Sequence, residues 1–142
     1  MAVLDFKADR WREALDIRSE DVPDALILEG TWWWRKALAR RLSHLTEVRE
    51  SAFPDIFFGR FGEARIAYCC AYGAARAAEP AHIFAHLGTP LLIQIGTCGA
   101  VTPDFRAGSV AVPQSALARE GVSQTYLMGQ KFPLHDGWTE LA

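Results

Sequence analysis

The sequence predicts a single α/β domain, residues 1–142, with a mixed, largely parallel sheet flanked by helices. Two observations support this class. Short apolar runs bounded by glycine and proline alternate with longer stretches of helical periodicity, which is the order expected of βαβ units. The chain of 142 residues is also 50% hydrophobic and 23% charged, which is enough apolar material for one sizeable core.

The first half of the chain predicts a helix at residues 9–17, a buried strand at 25–28, and a second helix from about residue 32 to 45. Gly30 turns the strand towards this second helix, and Thr31 is expected to be its N-cap. A strand, a glycine turn and a helix N-terminus together can bind an anion. An ordinary capped turn explains the same pattern, so the alternatives stay open on this segment alone.

The second half predicts further strands and helices, again separated by glycine and proline. Gly73 opens a helix that ends before Gly88 and Pro90. Three strands are predicted at 56–61, 64–71 and 90–95, and a helix from 72 to 87 connects the last two. A further strand at 109–113 follows a polar loop, and another helix begins at residue 136.

The strand at 90–95 runs directly into a turn that carries two glycines, and this is the most informative feature of the chain. The apolar run predicts a strand covered on both faces. Gly96 and Gly99 are expected to adopt positive φ angles and to bring backbone N–H groups close to a ligand, with the Thr97 hydroxyl beside them. Ligands bind beyond the carboxyl ends of parallel strands. A tight bend beside a bulge is the structural alternative.

Composition and charge exclude several classes of partner. The net charge is −2 and charges of both signs are interspersed, so no nucleic acid is expected. No run approaches membrane-spanning length and no signal peptide is evident, so we expect no membrane contact and a cytoplasmic location. Cys69, Cys70 and Cys98 form no Cys-x-x-Cys pair, so they are expected to be reduced and not to bind a metal.

Three motifs in order resemble the nucleoside phosphorylase family, especially its uridine phosphorylase-like branch. They are the turn IGTCGA (95–100), the loop PDFRAGS (103–109) and the segment REGVS (119–123). The resemblance is clear over residues 73–126 and weaker from about residue 25. It implies that the chain corresponds to the first half of the family fold, with residues 1–23 as an N-terminal extension.

The resemblance implies pentosyl transfer: cleavage of the C–N glycosidic bond of a nucleoside, in nucleoside salvage or breakdown. It carries Gly30, Arg35, Gln94 and Thr97 to the phosphate-binding positions, and Thr97, Cys98 and Gly99 to the nucleoside-binding positions. It assigns no catalytic residue, no metal and no cofactor. It implies inorganic phosphate as a co-substrate. It also implies a small-molecule nucleoside as partner and a homo-oligomer.

Three positions depart from the family pattern where phosphate needs positive charge. One of them, an arginine that a neighbouring subunit lends to the site in the family, aligns near Phe57, with Arg60 as the closest alternative. Gln94 stands where the family has an arginine, and an ungapped alignment places Trp34 at a second arginine position, with Arg35 adjacent. Neither Gln nor Trp replaces a bidentate arginine grip on an oxyanion. Two alternatives therefore remain, a nucleoside hydrolase that lacks the phosphate site and a catalytically inactive oligomerising or ligand-binding module.

Several other side chains have a structural interpretation. His82 and His86 have the i, i+4 spacing of metal ligands on a helix, but a solvated or core-edge pair explains them better. Of the three consecutive tryptophans, Trp32–Trp34, at least one is expected to be buried, with the remainder forming a subunit contact. Arg76 and Glu79 are expected on a solvated helix face.

Overall fold

The computed structural model describes residues 6–113 and 121–122. These residues belong to two compact units, which divide between Thr97 and Cys98. The first unit contains α1 (Ala8–Leu15), α2 (Trp34–Leu42), α3 (Ala74–Leu87), β1 (Ala25–Gly30), β2 (Thr46–Glu50), β3 (Ile56–Phe61), β4 (Ala64–Cys70) and β5 (Leu91–Gly96).

The five strands form one mixed sheet in the order β2-β3-β4-β1-β5. β1 lies parallel to both β4 and β5, whereas β3 is antiparallel to β2 and to β4. The predicted α/β class with a mixed sheet is therefore confirmed. The connection from β4 to β5 runs through α3, as expected of strands that lie parallel in one sheet, whereas β1 is followed by α2 and then by the antiparallel strands β2 and β3 before β4.

One face of the sheet carries the hydrophobic core. Leu26 and Leu28 of β1 are buried there together with Phe84 of α3 and Trp11 of α1. Because successive strand residues point to opposite faces, Glu29 lies on the other face, where its carboxylate contacts Arg41 of α2. The residues before the first strand thus contribute to the core through α1.

Helix boundaries follow glycine and backbone geometry. Gly73 precedes α3 with a φ of 88°, and Gly88 ends it in the left-handed conformation with a φ of 84°, as glycine readily does. Thr31 is not the N-cap of α2, contrary to expectation: the cap position is Trp33, and no side chain caps it. The Thr31 hydroxyl instead accepts a hydrogen bond from the Trp33 N–H at 3.2 Å.

Two strand predictions were wrong. β2 was missed, because its sequence Thr-Glu-Val-Arg-Glu has a single apolar residue and every position is exposed. Residues 109–113 were predicted as a strand but form no regular element. Their valines alternate with small residues, which satisfies the sequence pattern, but no ladder partner is formed in the part of the chain that the structure describes.

In the part of the chain that the structure describes, β5 lies at the edge of the sheet and is not covered on both faces. It pairs with β1 on one side only within the described sheet, and Leu91 and Leu92 are exposed. The apolar run predicted the strand correctly, but hydrophobicity alone does not specify a strand's place in the sheet order.

The described part of the second unit, residues 98–113 and 121–122, consists mainly of irregular segments and turns. The Thr102 hydroxyl donates to the Asp104 carboxylate at 2.8 Å, and the Ser109 N–H donates to the Arg106 carbonyl at 3.0 Å. Most of the REGVS segment and the predicted helix at residue 136 lie outside the described residues. Among the described helices, none has both the length and the apolar character needed to cross a bilayer.

Candidate functional site at the strand ends

The carboxyl ends of β1 and β5 lie side by side and define the centre of the candidate site. Gly30 and Gly96 are register partners at the last positions of these parallel strands. A Cβ on Gly96 would lie 3.3 Å from the Gly30 carbonyl oxygen, so the close approach of the two backbones favours glycine at this position. Glu29 pairs with Cys70 on the other side of β1, and the ends of the three parallel strands are therefore adjacent.

The reason predicted for the glycines of the turn was wrong. Among the described glycines, positive φ angles occur at Gly62, Gly73, Gly88 and Gly108, and not at Gly96 or Gly99. The requirement at Gly96 is proximity to the neighbouring strand, while a Cβ on Gly99 would meet nothing within 4 Å.

The predicted phosphate-binding residues are only partly brought together. Gly30 ends β1, and Thr97 follows β5 directly with an exposed side chain. Gln94 is the β5 partner of Leu28 and is also exposed. Arg35 lies on the first turn of α2, and its guanidinium carbon is 5.1 Å from the centre of the Trp34 ring, a distance suited to a cation–π contact.

The predicted nucleoside-binding residues beyond Thr97 open the second unit. Cys98 and Gly99 are both exposed.

A buried carboxylate fixes α2 behind the strand end. The Glu29 side chain is buried and accepts hydrogen bonds from Arg41 Nε at 2.7 Å and from the Tyr68 hydroxyl at 3.0 Å. A buried charge requires such partners. Burial is the main cause that raises the pKa of Tyr68, so its hydroxyl remains protonated and able to donate. The contact with Glu29 raises the Arg41 pKa. The Arg41 guanidinium is occupied by this contact, which holds α2 to β1.

Sequence reasoning missed a cavity of about 510 Å³ beside the end of β1. We call it the aromatic cavity, because its walls include the rings of Trp32, Trp34, Phe57 and Tyr72. The rings of Trp32 and Tyr72 meet edge to face with their centres 5.3 Å apart. Thr31, the residue after Gly30, also lines this cavity.

An ion pair lines the aromatic cavity as well. Arg76 Nη2 lies 2.5 Å from Asp55 Oδ2, and both residues line the cavity. Arg76 was predicted on a solvated helix face, and its side chain is 47% exposed, but its partner Asp55 was not predicted. No sequence spacing indicates the pair, because the two residues are 21 positions apart. They meet because the start of β3 pairs with the end of β4, and α3 follows β4 in the chain.

The tryptophan prediction was also wrong, since none of the three is buried. Trp32, Trp33 and Trp34 are 73%, 70% and 48% exposed. Trp32 and Trp33 precede α2 and are not on it, so the helical argument that one ring must face the core does not apply to them. Trp34 begins the helix and faces the aromatic cavity.

The cysteines are free, and their environments differ. Cys69 is buried in the core, and burial raises its pKa to about 11. Cys70 points to the other face and lines the aromatic cavity. Burial raises its pKa too, so its thiol is protonated at neutral pH and is a poor nucleophile.

The two histidines pack together on α3. Their ring centres are 4.1 Å apart, and the ring of Trp11 lies at 6.2 Å from that of His82. Among the described residues, no group of three or more His, Cys, Asp or Glu side chains is arranged to hold a metal ion.

Comparison with known proteins gives the family. The family model of the phosphorylase superfamily matches residues 30–141, and the chain belongs to this superfamily. A uridine phosphorylase from Treponema pallidum (strain Nichols) is 26% identical over 113 residues, which cover 79% of this chain and 44% of that protein. The chain thus spans less than half the length of this relative. The resemblance to nucleoside phosphorylases that the motifs indicate is confirmed.

Proposed function

We propose that this protein cleaves the C–N glycosidic bond of a nucleoside at the paired ends of β1 and β5. The observation that carries the proposal is the Gly30–Gly96 register, because it sets Thr97 beside the end of β1. Family membership of residues 30–141 supports the class of reaction.

In the proposed mechanism the strand ends hold an anion beneath the sugar. Cleavage builds positive charge on the ribose. An anion beneath the sugar stabilises that charge, and oriented hydrogen-bond donors hold the anion in place. The Gly30 N–H and the Thr97 hydroxyl are the donors assigned to this task, and Gln94 adds a side-chain amide. Arg35, on the helix that follows β1, is the cation assigned to the phosphate.

A specific observation favours hydrolysis as the second candidate. Gln94 is uncharged, and Arg41 is committed to Glu29, with Arg40 3.7 Å from the same carboxylate. These side chains supply less positive charge for a phosphate dianion than an arginine at position 94 would. With water as the nucleophile, the same strand ends need only orient the sugar. A chain that binds nucleoside without cleaving it is the remaining alternative.

The test is release of free base from uridine and from inosine, followed by chromatography with and without inorganic phosphate. Phosphorolysis predicts base release that depends on phosphate and ribose 1-phosphate as the second product. Equal release with and without phosphate would establish hydrolysis in its place. No release of base from either nucleoside by the folded protein would contradict both enzymatic proposals.

A further inference from the structure

The aromatic cavity lies against the end of β1. A Cβ on Gly30 would lie 3.6 Å from the Ala71 carbonyl oxygen, so the last residue of β1 contacts the segment that leads from β4 to α3. The residues that follow these two, Thr31 and Tyr72, both line the cavity. The cavity is therefore part of the strand-end site, and its side chains can contribute to a ligand held there.

The cavity contains a cation, although the aligned arginine positions do not supply it. Gln94 is uncharged, and Trp34, at the second of these positions, lines the cavity with an indole ring. An arginine at position 34 would bring its charge to this cavity. Among the described residues that line it, Arg76 is the only lysine or arginine, and Arg35 is not one of them. Arg76 thus supplies positive charge to the same place from α3 instead of α2.

Arg76 has hydrogen-bond donors that its ion pair does not use. Its contact with Asp55 involves one nitrogen, Nη2, whereas a guanidinium carries five N–H donors and can bind an oxyanion through two of them at once. The Arg76 and Asp55 side chains are 47% and 57% exposed, so a ligand can reach both. Ion pairs between exposed side chains contribute little to stability. An anion can therefore displace Asp55 from Arg76 at small cost.

We infer that Arg76 binds the phosphate at the strand ends, and that Asp55 is the counter-ion which the phosphate displaces. The resemblance to nucleoside phosphorylases assigns no role to either side chain. The inference rests on the proposed function for the identity of the anion, and it deepens that function by naming a cation that offsets the uncharged Gln94. It also gives the site an internal competitor, because the Asp55 carboxylate and the phosphate bind the same guanidinium.

The first test is calorimetric titration of the purified chain with inorganic phosphate at constant ionic strength. In Arg76→Gln the affinity should fall roughly tenfold or more, the size expected when a hydrogen bond to a charged group is lost. Arg10→Gln is the matched control, since Arg10 forms an exposed ion pair with Glu13 on α1 and is not among the residues that line the cavity. It should bind phosphate as the unmodified chain does.

The second test changes the counter-ion and predicts the opposite effect. Asp55→Asn removes the competing charge, and asparagine tolerates the left-handed backbone at this position, where φ is 64°. The affinity for phosphate should rise roughly twofold to fivefold, which corresponds to the loss of one exposed ion pair. Glu13→Gln, which removes the carboxylate of the control pair, should leave the affinity unchanged.

The third test moves the charge within the cavity. Because Trp34 lines the same cavity as Arg76, the double variant Trp34→Arg with Arg76→Gln should bind phosphate more tightly than Arg76→Gln alone. An arginine that only supports the fold would not be replaced in this way. Circular dichroism of each variant establishes that it is folded.

Three outcomes would overturn the inference. The first is that Arg76→Gln and Arg10→Gln bind phosphate equally well, and the second is that Asp55→Asn binds it more weakly than the unmodified chain. The third is that the folded double variant binds phosphate no better than Arg76→Gln does.

The base-release assay separates this inference from the proposed function. A chain that binds phosphate through Arg76 but releases no base from uridine or inosine would keep the inference and remove the proposed function. Equal base release with and without phosphate, by a chain that binds no phosphate, would keep bond cleavage and remove the inference.

Discussion

At the residue scale, Thr97 is the side chain on which the proposed site depends most. It follows β5 directly and is exposed, so it contributes little to packing and its hydroxyl is available to a ligand. In Thr97→Val the shape is retained and the hydroxyl is lost. We expect the affinity for uridine, measured by calorimetry with phosphate present, to fall roughly tenfold to a hundredfold, as for a hydrogen bond to a charged group.

The matched control for this change is Thr46→Val on β2, at the opposite edge of the same sheet. Both variants should unfold within about 0.5 kcal/mol of the unmodified protein, as is usual for surface substitutions. Equal affinities in all three proteins would remove Thr97 from the site.

Several residue environments could not be predicted because they depend on tertiary structure. The sequence indicated the glycine turn and Thr97, since an apolar run followed by small residues is a local signal. It could not indicate that Asp55 contacts Arg76, or that Gly96 approaches the Gly30 backbone. The tryptophan prediction failed for a related reason, because it assumed a helix that starts two residues before α2 does.

At the scale of elements, an ion pair joins the start of β1 to β4. The Asp24 carboxylate accepts hydrogen bonds from the Arg65 N–H at 2.8 Å and from Arg65 Nη2 at 2.9 Å. The side-chain hydrogen bond from Arg65 is the main cause that holds the Asp24 pKa below its ordinary value of 3.8. Ionised Asp24 is therefore favoured in the folded state.

This shift predicts a pH dependence of stability. The contribution of the pair is complete above about pH 4, the ordinary range of an aspartate, and is lost as the pH falls through the lower folded pKa. Urea unfolding should show that Asp24→Asn is less stable than the unmodified protein at neutral pH, and that the difference shrinks in acid. Glu63→Gln, at a fully exposed carboxylate, should not show this behaviour. A difference that stays constant from neutral to acid pH would contradict the account.

Most elements were predictable because their signals are local. β1, β3, β4 and β5 are apolar runs, and α3 is bounded by Gly73 and Gly88, whose positive φ angles glycine adopts easily. β2 has no apolar run, and it forms a strand because it pairs with β3. The edge position of β5 among the described strands was not predictable, because strand order is set by the whole sheet.

At the scale of the whole molecule, family membership and topology agree. The phosphorylase superfamily match covers residues 30–141, while α1 lies before it and still contributes Trp11 and Leu15 to the core. The described sheet leaves β5 at one edge and three tryptophans exposed beside the end of β1. Unpaired strand edges can pair with another chain. The homo-oligomer that the resemblance implies is consistent with such an edge and stays a prediction.

The central claim is that the paired ends of β1 and β5 bind the nucleoside and its anion. The most direct measurement is a titration of the isotopically labelled protein with uridine and inorganic phosphate, followed by the amide chemical shifts. We predict saturable shifts centred on Gly30, Gly96 and Thr97, with the amides of β2 unchanged. Saturable shifts elsewhere with none at these three residues would contradict the account.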